Sequence, residues 1–226
     1  MNLQLPPFIG ILLILCLALT LFCLFRSSGN SWKVLTIPLA IIAIQGLLGY
    51  NHFYTQFDEH PFRFPILLVP SFFTIIILFA LPVTRGILDG LDPGWLTFLH
   101  IVRFPVELVL YWLFIYNQIP EIMTFEGRNF DIISGLSAPF VAYWAYVKKQ
   151  MDRKWILIWN LICLILLLNI VFTAILSAPT PLQQIEFSQP NVGVFYFPYL
   201  FLPSMIVPLV LLAHIVTIRH HLRTKN

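Results

Sequence analysis

Charge is what this sequence has least of. Only 10% of its residues are Asp, Glu, Lys or Arg, against about 25% in ordinary soluble domains. With 59% of the 226 residues hydrophobic, a soluble fold is excluded, because most of the apolar runs would have no polar face to turn to water. Strict alternation of polar and apolar residues is also missing, which excludes a transmembrane barrel. Cysteine is scarce: Cys16, Cys23 and Cys163 all lie inside apolar runs, where they serve as small hydrophobes rather than disulfide partners. The opening MNLQLPPF has no basic residue, so the first apolar run is expected to be a retained helix and not a secretory signal. There is no basic groove either. The net charge of +3 arises at segment ends, where it sets topology, and nucleic acid is not an expected partner. No internal repeat is visible, which argues against a transporter built from duplicated halves.

What remains is a series of long apolar runs, each near the roughly 20 residues that cross a bilayer. Seven are read, at about 8–25, 33–54, 64–82, 95–117, 130–147, 155–177 and 195–218. The expected fold is therefore all-α, one integral membrane bundle of seven transmembrane helices over residues 1–226, with the lipid bilayer as its surroundings. Placing the N-terminus outside puts ten Lys and Arg residues in the cytoplasm and only Arg63 and Arg128 outside. Basic residues in short loops decide orientation, so the expectation is N-out, C-in.

The connector RSSGNSW reads as a tight turn between helices, and the longer loops around 51–64 and 177–194 as polar segments with some structure of their own. Pro38, Pro70, Pro105, Pro139, Pro203 and Pro208 fall within spans, and each removes a helical hydrogen bond. The last span, with Pro198, Pro203 and Pro208 in succession, is expected to be broken or bent. The fifth carries Gly135, Ser137 and Ala138, a small-residue face suited to close packing.

The fourth run, WLTFLHIVRFPVELVLYWLFIY, sets the functional question. At helical spacing His100, Arg103, Glu107 and Tyr111 share one face, and charged groups inside a membrane face a bundle interior or a wet cavity rather than lipid. Counting from Trp95 at about 1.5 Å per residue puts Arg103 near 12 Å and Glu107 near 18 Å inside the membrane. They are spaced i,i+4 with the arginine first, the weaker order, and Pro105 between them frees the carbonyl of Ile101. Such a pair is a poor staple. The expectation is a pocket in which Glu107 exchanges a proton or touches a ligand, held by Arg103 and approached past His100 and His214, with Tyr111, Asn160 and Gln45 also contributing. The bound species would be a small ligand, a lipid headgroup or a proton; no residue pattern names a reaction.

Two other readings come from the same residues. His100 and His214 each lie five residues from the cytoplasmic end of their helix, about 7.5 Å deep, so they could share a haem or a metal. Alternatively, the polar residues simply bind helices to one another or to a partner, as in an accessory subunit. The second loop offers His52, Asp58, Glu59 and His60 but no His-x3-His spacing, so no metal site is expected there. Asp89 and Asp92 read as turn residues, and Asn129 or Asp131 as the cap of the fifth helix, with Glu126, Arg128 and Asp131 as a possible outer mouth.

Seven N-out spans also describe rhodopsins and G-protein-coupled receptors. Here all five lysines lie at span ends or in loops, leaving none in the last helix for a Schiff base, and there is no acidic-Arg-Tyr triplet after the third span and no Asn-Pro-x-x-Tyr in the seventh. The segments MTFEGRNFDIISGLSAP and HIVRFPVELVLYWLF resemble an uncharacterised set of bacterial multi-pass membrane proteins, a resemblance that implies a bacterial inner membrane and no particular activity.

Overall fold

The computed structural model describes residues 5–56 and 63–223, and among these every regular element is helical. In chain order they are α1 (Pro7–Ser27), α2 (Thr36–Tyr50), α3 (Phe64–Ala80), α4 (Arg85–Asp89), α5 (Pro93–Leu99), α6 (Arg103–Ile115), α7 (Asp131–Ala142), α8 (Arg153–Ser177) and α9 (Val207–Arg223). Five helical stretches are long and apolar enough to cross a membrane: Pro7–Ser27, Trp32–Tyr50, Pro93–Ile115, Arg153–Ser177 and Leu202–Arg223. A sixth is formed if α3 and the segment Pro82–Asp89 count as one broken span, bent by 91°. The break falls at Leu81, which is extended ahead of Pro82, as a residue before proline prefers.

The seven runs read from the sequence fall mostly on helices, but 130–147, made of α7 and the π stretch Tyr143–Val147, is not among the stretches long enough to cross a membrane, and the last run starts later than expected. Residues 196–200 are turns, and the helix begins with π geometry at Leu202–Ile206 before α9 proper. Pro198 and Pro203 supply no N–H, so regular hydrogen bonding takes hold only beyond them. The seventh run is therefore Leu202–Arg223 rather than 195–218.

Prolines inside the spans shape the bundle, and partners repair what they break. Pro105 cannot bond the carbonyl one turn back, and the helix tightens to 3-10 geometry over His100–Val102, between α5 and α6. Pro70 frees the carbonyl of Ile66, which accepts from Gln45 Nε2 at 3.0 Å. Pro208 frees the carbonyl of Ser204, which accepts from Ser71 Oγ. With no water in a bilayer core, such donors have to come from neighbouring helices.

The loops at the end opposite Arg26 fold back into the bundle. Ile119, Met123, Thr124 and Asn129 are buried although they lie outside the long helices. The backbone N–H groups of Val192 and Gly193 donate to the carbonyl of Gln118 at 3.0 and 2.8 Å, joining the loop around 177–194 to the segment 117–130. The segment 117–130 is thus part of the core, and it carries α7 inward so that Asp131 begins below the surface. At the other end Asp89 accepts from Arg219 and Arg223, and Asp92 caps α5 by accepting from the Trp95 N–H at 2.9 Å. The turn reading holds for Asp92; Asp89 instead ties α4 to α9. Cys16, Cys23 and Cys163 are free and buried, as small hydrophobes would be.

Candidate functional site

The site is built where α6 and α7 touch. Gly135 makes this possible: a Cβ there would lie 2.3 Å from the backbone nitrogen of Phe104, so any larger residue would push the helices apart. One turn before Gly135 on α7 stands Asp131, and one residue before Phe104 stands Arg103. The close approach sets carboxylate against guanidinium. Arg103 Nε donates to Asp131 Oδ2 at 2.6 Å and Nη2 donates to Asp131 Oδ1, a bidentate pair. Arg103 Nη2 also donates to the carbonyl of Cys163 at 2.9 Å, and Nη1 lies 3.0 Å from His214 Nε2.

These contacts fix the state of His214. An arginine can only donate, so Nε2 must be the accepting nitrogen, and Nδ1 carries the proton that meets Asn160 Oδ1 at 3.0 Å. His214 is therefore the neutral Nδ1–H tautomer. Asn160 in turn donates to the carbonyl of Ile156 at 2.9 Å. Arg103, Asp131, His214 and Asn160 form a fully partnered chain across α6, α7, α8 and α9.

Glu107 does not belong to this chain. Its Oε1 accepts from Asn129 Nδ2 at 2.6 Å, while its Oε2 has no hydrogen-bond partner among the described residues. Asn129 also donates to the Met123 carbonyl at 3.1 Å and accepts from the Asp131 backbone N–H at 3.2 Å, so one amide ties the Glu107 carboxylate to the backbone at the start of α7. His100 stacks on His214 with ring centroids 3.9 Å apart and meets Trp159 edge-on at 5.6 Å, and neither of its ring nitrogens has a hydrogen-bond partner among the described residues. All of these groups are enclosed: Glu107 is 1% exposed, Arg103 3% and His100 fully buried.

Of the residues read from the sequence, Arg103, Glu107, His100, His214 and Asn160 come together. Arg103 is nonetheless bonded to Asp131 and not to Glu107, because a planar guanidinium matches a carboxylate presented side-on from a neighbouring helix better than one four residues further along its own. Gln45 lies elsewhere, accepting from the Tyr54 hydroxyl and repairing the Pro70 break. Tyr111 stacks on Phe125 with centroids 5.0 Å apart and has no part in the network. Asp131, buried at the first position of α7, is not a cap and does not join the exposed Glu126 and Arg128 in an outer mouth, whereas Asn129, the other residue read as the cap, accepts from the first N–H of that helix. The acids and histidine of the second loop fall partly outside the described residues: Asp58, Glu59 and His60 are not among them, and His52 is exposed.

The residues missing from the sequence reading are Asp131 as the partner of Arg103 and Asn129 as that of Glu107. A usable signal was present. An arginine within a stretch long and apolar enough to cross a membrane calls for an acid, and Asp131 stands at the start of the small-residue helix, two residues after Asn129.

A haem or metal held between His100 and His214 does not fit. Ligation uses the in-plane lone pair of a ring nitrogen, whereas the two rings meet face to face and both nitrogens of His214 are committed to Arg103 and Asn160. Among the described residues no group of three or more His, Cys, Asp or Glu side chains is arranged to hold a metal ion.

A search of curated proteins gave no match to the chain, and a search of solved structures gave none either. The model of one family, described as Domain of unknown function (DUF8737), matches residues 61–222, which takes in α3 to α9 and every residue of the site. The chain belongs to this family.

Proposed function

We propose that the chain is an integral protein of a bacterial inner membrane, with seven spans and the N-terminus outside, that binds or translocates a small polar species at Glu107. The five long helical stretches and the bent pair support six spans, and on this reading the shorter helical stretch 131–147 is the remaining one. The ten-to-two distribution of basic residues supports the orientation.

One observation carries the functional reading. The side chains of the Arg103–Asp131–His214–Asn160 chain are all partnered, and beside them Glu107 keeps a carboxyl oxygen, and His100 both ring nitrogens, without a hydrogen-bond partner among the described residues. An ionisable side chain inside a membrane marks a path or a ligand site by default. The tight enclosure favours a proton over a lipid headgroup, because a proton needs no cavity. Arg103 and Asp131 balance each other's charge, which leaves Glu107 free to gain or lose a proton without disturbing them.

The test is proton movement into vesicles holding the purified protein and an internal pH-sensitive dye. An imposed pH difference should collapse faster with the wild type than with empty vesicles, and Glu107→Gln should return the rate to that of empty vesicles while leaving the protein folded. Equal rates for wild type and empty vesicles would contradict the reading. Reporters fused after Asn226 and within residues 178–193 test the orientation independently.

A second reading is favoured by the completeness of the Arg103–Asp131–His214–Asn160 chain: that of an accessory subunit whose polar residues only join helices. On that reading Glu107→Gln is silent in every assay except stability.

A further inference from the structure

A cavity of about 380 Å³ lies between α1, α2, α3, α4 and α9, away from the polar network. Its walls include the small residues Ser71 and Thr74 on α3, Gly86 on α4 and Gly90 just beyond it, and a Cβ added at Gly86 would meet no atom within 4 Å. Its walls are otherwise mainly apolar, with Ile41 from α2, Ile75 and Leu78 from α3, and Leu209 and Leu212 from α9. The volume lies in the range of about 300–1,000 Å³ that suits a small-molecule ligand.

One end of this cavity is charged. Lys33 lines it, together with Ser28 and Ser31. The lysine is exposed and has no acidic partner among the described residues. It also sits in the first turn of the helical stretch Trp32–Tyr50, where no acidic residue and no side-chain cap offset the positive end of the helix. An apolar chamber ending in an unpaired cation matches an apolar chain ending in an anion.

We propose that this cavity is a binding site for an anionic phospholipid, one acyl chain lying between α3 and α9 and the phosphate facing Lys33. The site is separate from Glu107, and the proposal stands whatever the fate of the proton reading. The bend at Leu81 contributes, since it turns the segment Pro82–Asp89 by 91° from the line of α3, and Gly86 and Leu88 of that segment line the cavity with Lys33.

The experiment uses the full chain in vesicles of phosphatidylcholine containing a small fraction of either phosphatidylglycerol or phosphatidylcholine with a photoactivatable diazirine near the end of one acyl chain. Crosslinked peptides are then identified by mass spectrometry. Wild-type protein should crosslink on α3 and α9 at Ile75, Leu78, Leu209 or Leu212. The phosphatidylglycerol probe should be favoured by about fivefold, the factor that ~1 kcal/mol per basic residue corresponds to. Lys33→Glu, at an exposed position, should remove that preference. Gly86→Leu should lower crosslinking by both probes without harming the fold, since a Cβ at Gly86 meets no atom within 4 Å. Crosslinks scattered over the outer surface, equal labelling by the two probes in the wild type, or a preference that survives Lys33→Glu would each overturn the proposal.

Discussion

Helix α9 buries eight of its residues, whereas α2 buries only Gln45 and Gly49. The contrast runs through the molecule. Around α6 to α9 helices approach closely, and Arg103, Asp131 and His214 are bonded to one another while Glu107 and His100 stand beside them. Around α2 and α3 the packing is loose, polar groups are few, and those present repair proline breaks one at a time. Different physics holds the two regions. A charged pair in the first cannot be left half made, because a stranded charge has no water to turn to. In the second, each hydrogen bond is local, and losing one costs the cost of one unpaired carbonyl.

The comparison is broken most forcefully by Arg103→Leu. It leaves Asp131 buried without its cation, and a loss of about 3–5 kcal/mol is expected. Unfolding of the purified protein in mixed detergent should show it as a large shift in midpoint. Replacing Asp131 by Leu as well should recover much of that stability, because an apolar pair of similar size is often no worse than the ions it replaces. If the double variant is as unstable as the single, the clamp is more than a matched pair of charges. Next in size is Gly135→Leu, whose side chain cannot fit against the Phe104 backbone. Overpacking of this kind costs about 1–3 kcal/mol, and the separation of α6 from α7 should weaken the Arg103–Asp131 contact too.

On the loose side, Gln45→Ala leaves the Ile66 carbonyl and the Tyr54 hydroxyl without their partner. About 1–3 kcal/mol is expected, and hydrogen exchange should speed up in α3 while α6 to α9 stay protected. Exchange that rises equally everywhere would show the two regions to be one cooperative unit. The smallest effect belongs to Asp89→Asn. Its contacts with Arg219 and Arg223 are partly exposed, and pairs of that kind contribute about 0–1 kcal/mol.

Much of this arrangement was legible in the sequence. Run length and the scarcity of charge point to a helical membrane bundle, and the small-residue face of α7 predicts the tight contact that Gly135 makes. Arg103, Glu107, His100, His214 and Asn160 could be named together because an ionisable or polar residue in an apolar run has few places to go. What was not legible depends on the loops. Segment 117–130 looks like an external connector, yet it folds inward and delivers Asn129 and Asp131 to the site. Periodicity describes a helix and not where a loop carries its start. Gln45 was misassigned for a related reason: its partner is a carbonyl exposed by Pro70 on another helix, and the pairing of α2 with α3 is not written in either one.

The central claim is that Glu107 exchanges protons while the ionic clamp beside it does not. Infrared difference spectroscopy on the vesicle-embedded protein, with ¹³C-labelled glutamate, measures this directly. As the bulk pH is changed, one buried carboxyl band should appear and disappear reversibly, be absent in Glu107→Gln, and survive in a variant at the exposed Asp89. A Glu107 band that stays constant over the whole pH range in which the protein remains folded would contradict the account and leave the residue as structural as its neighbours.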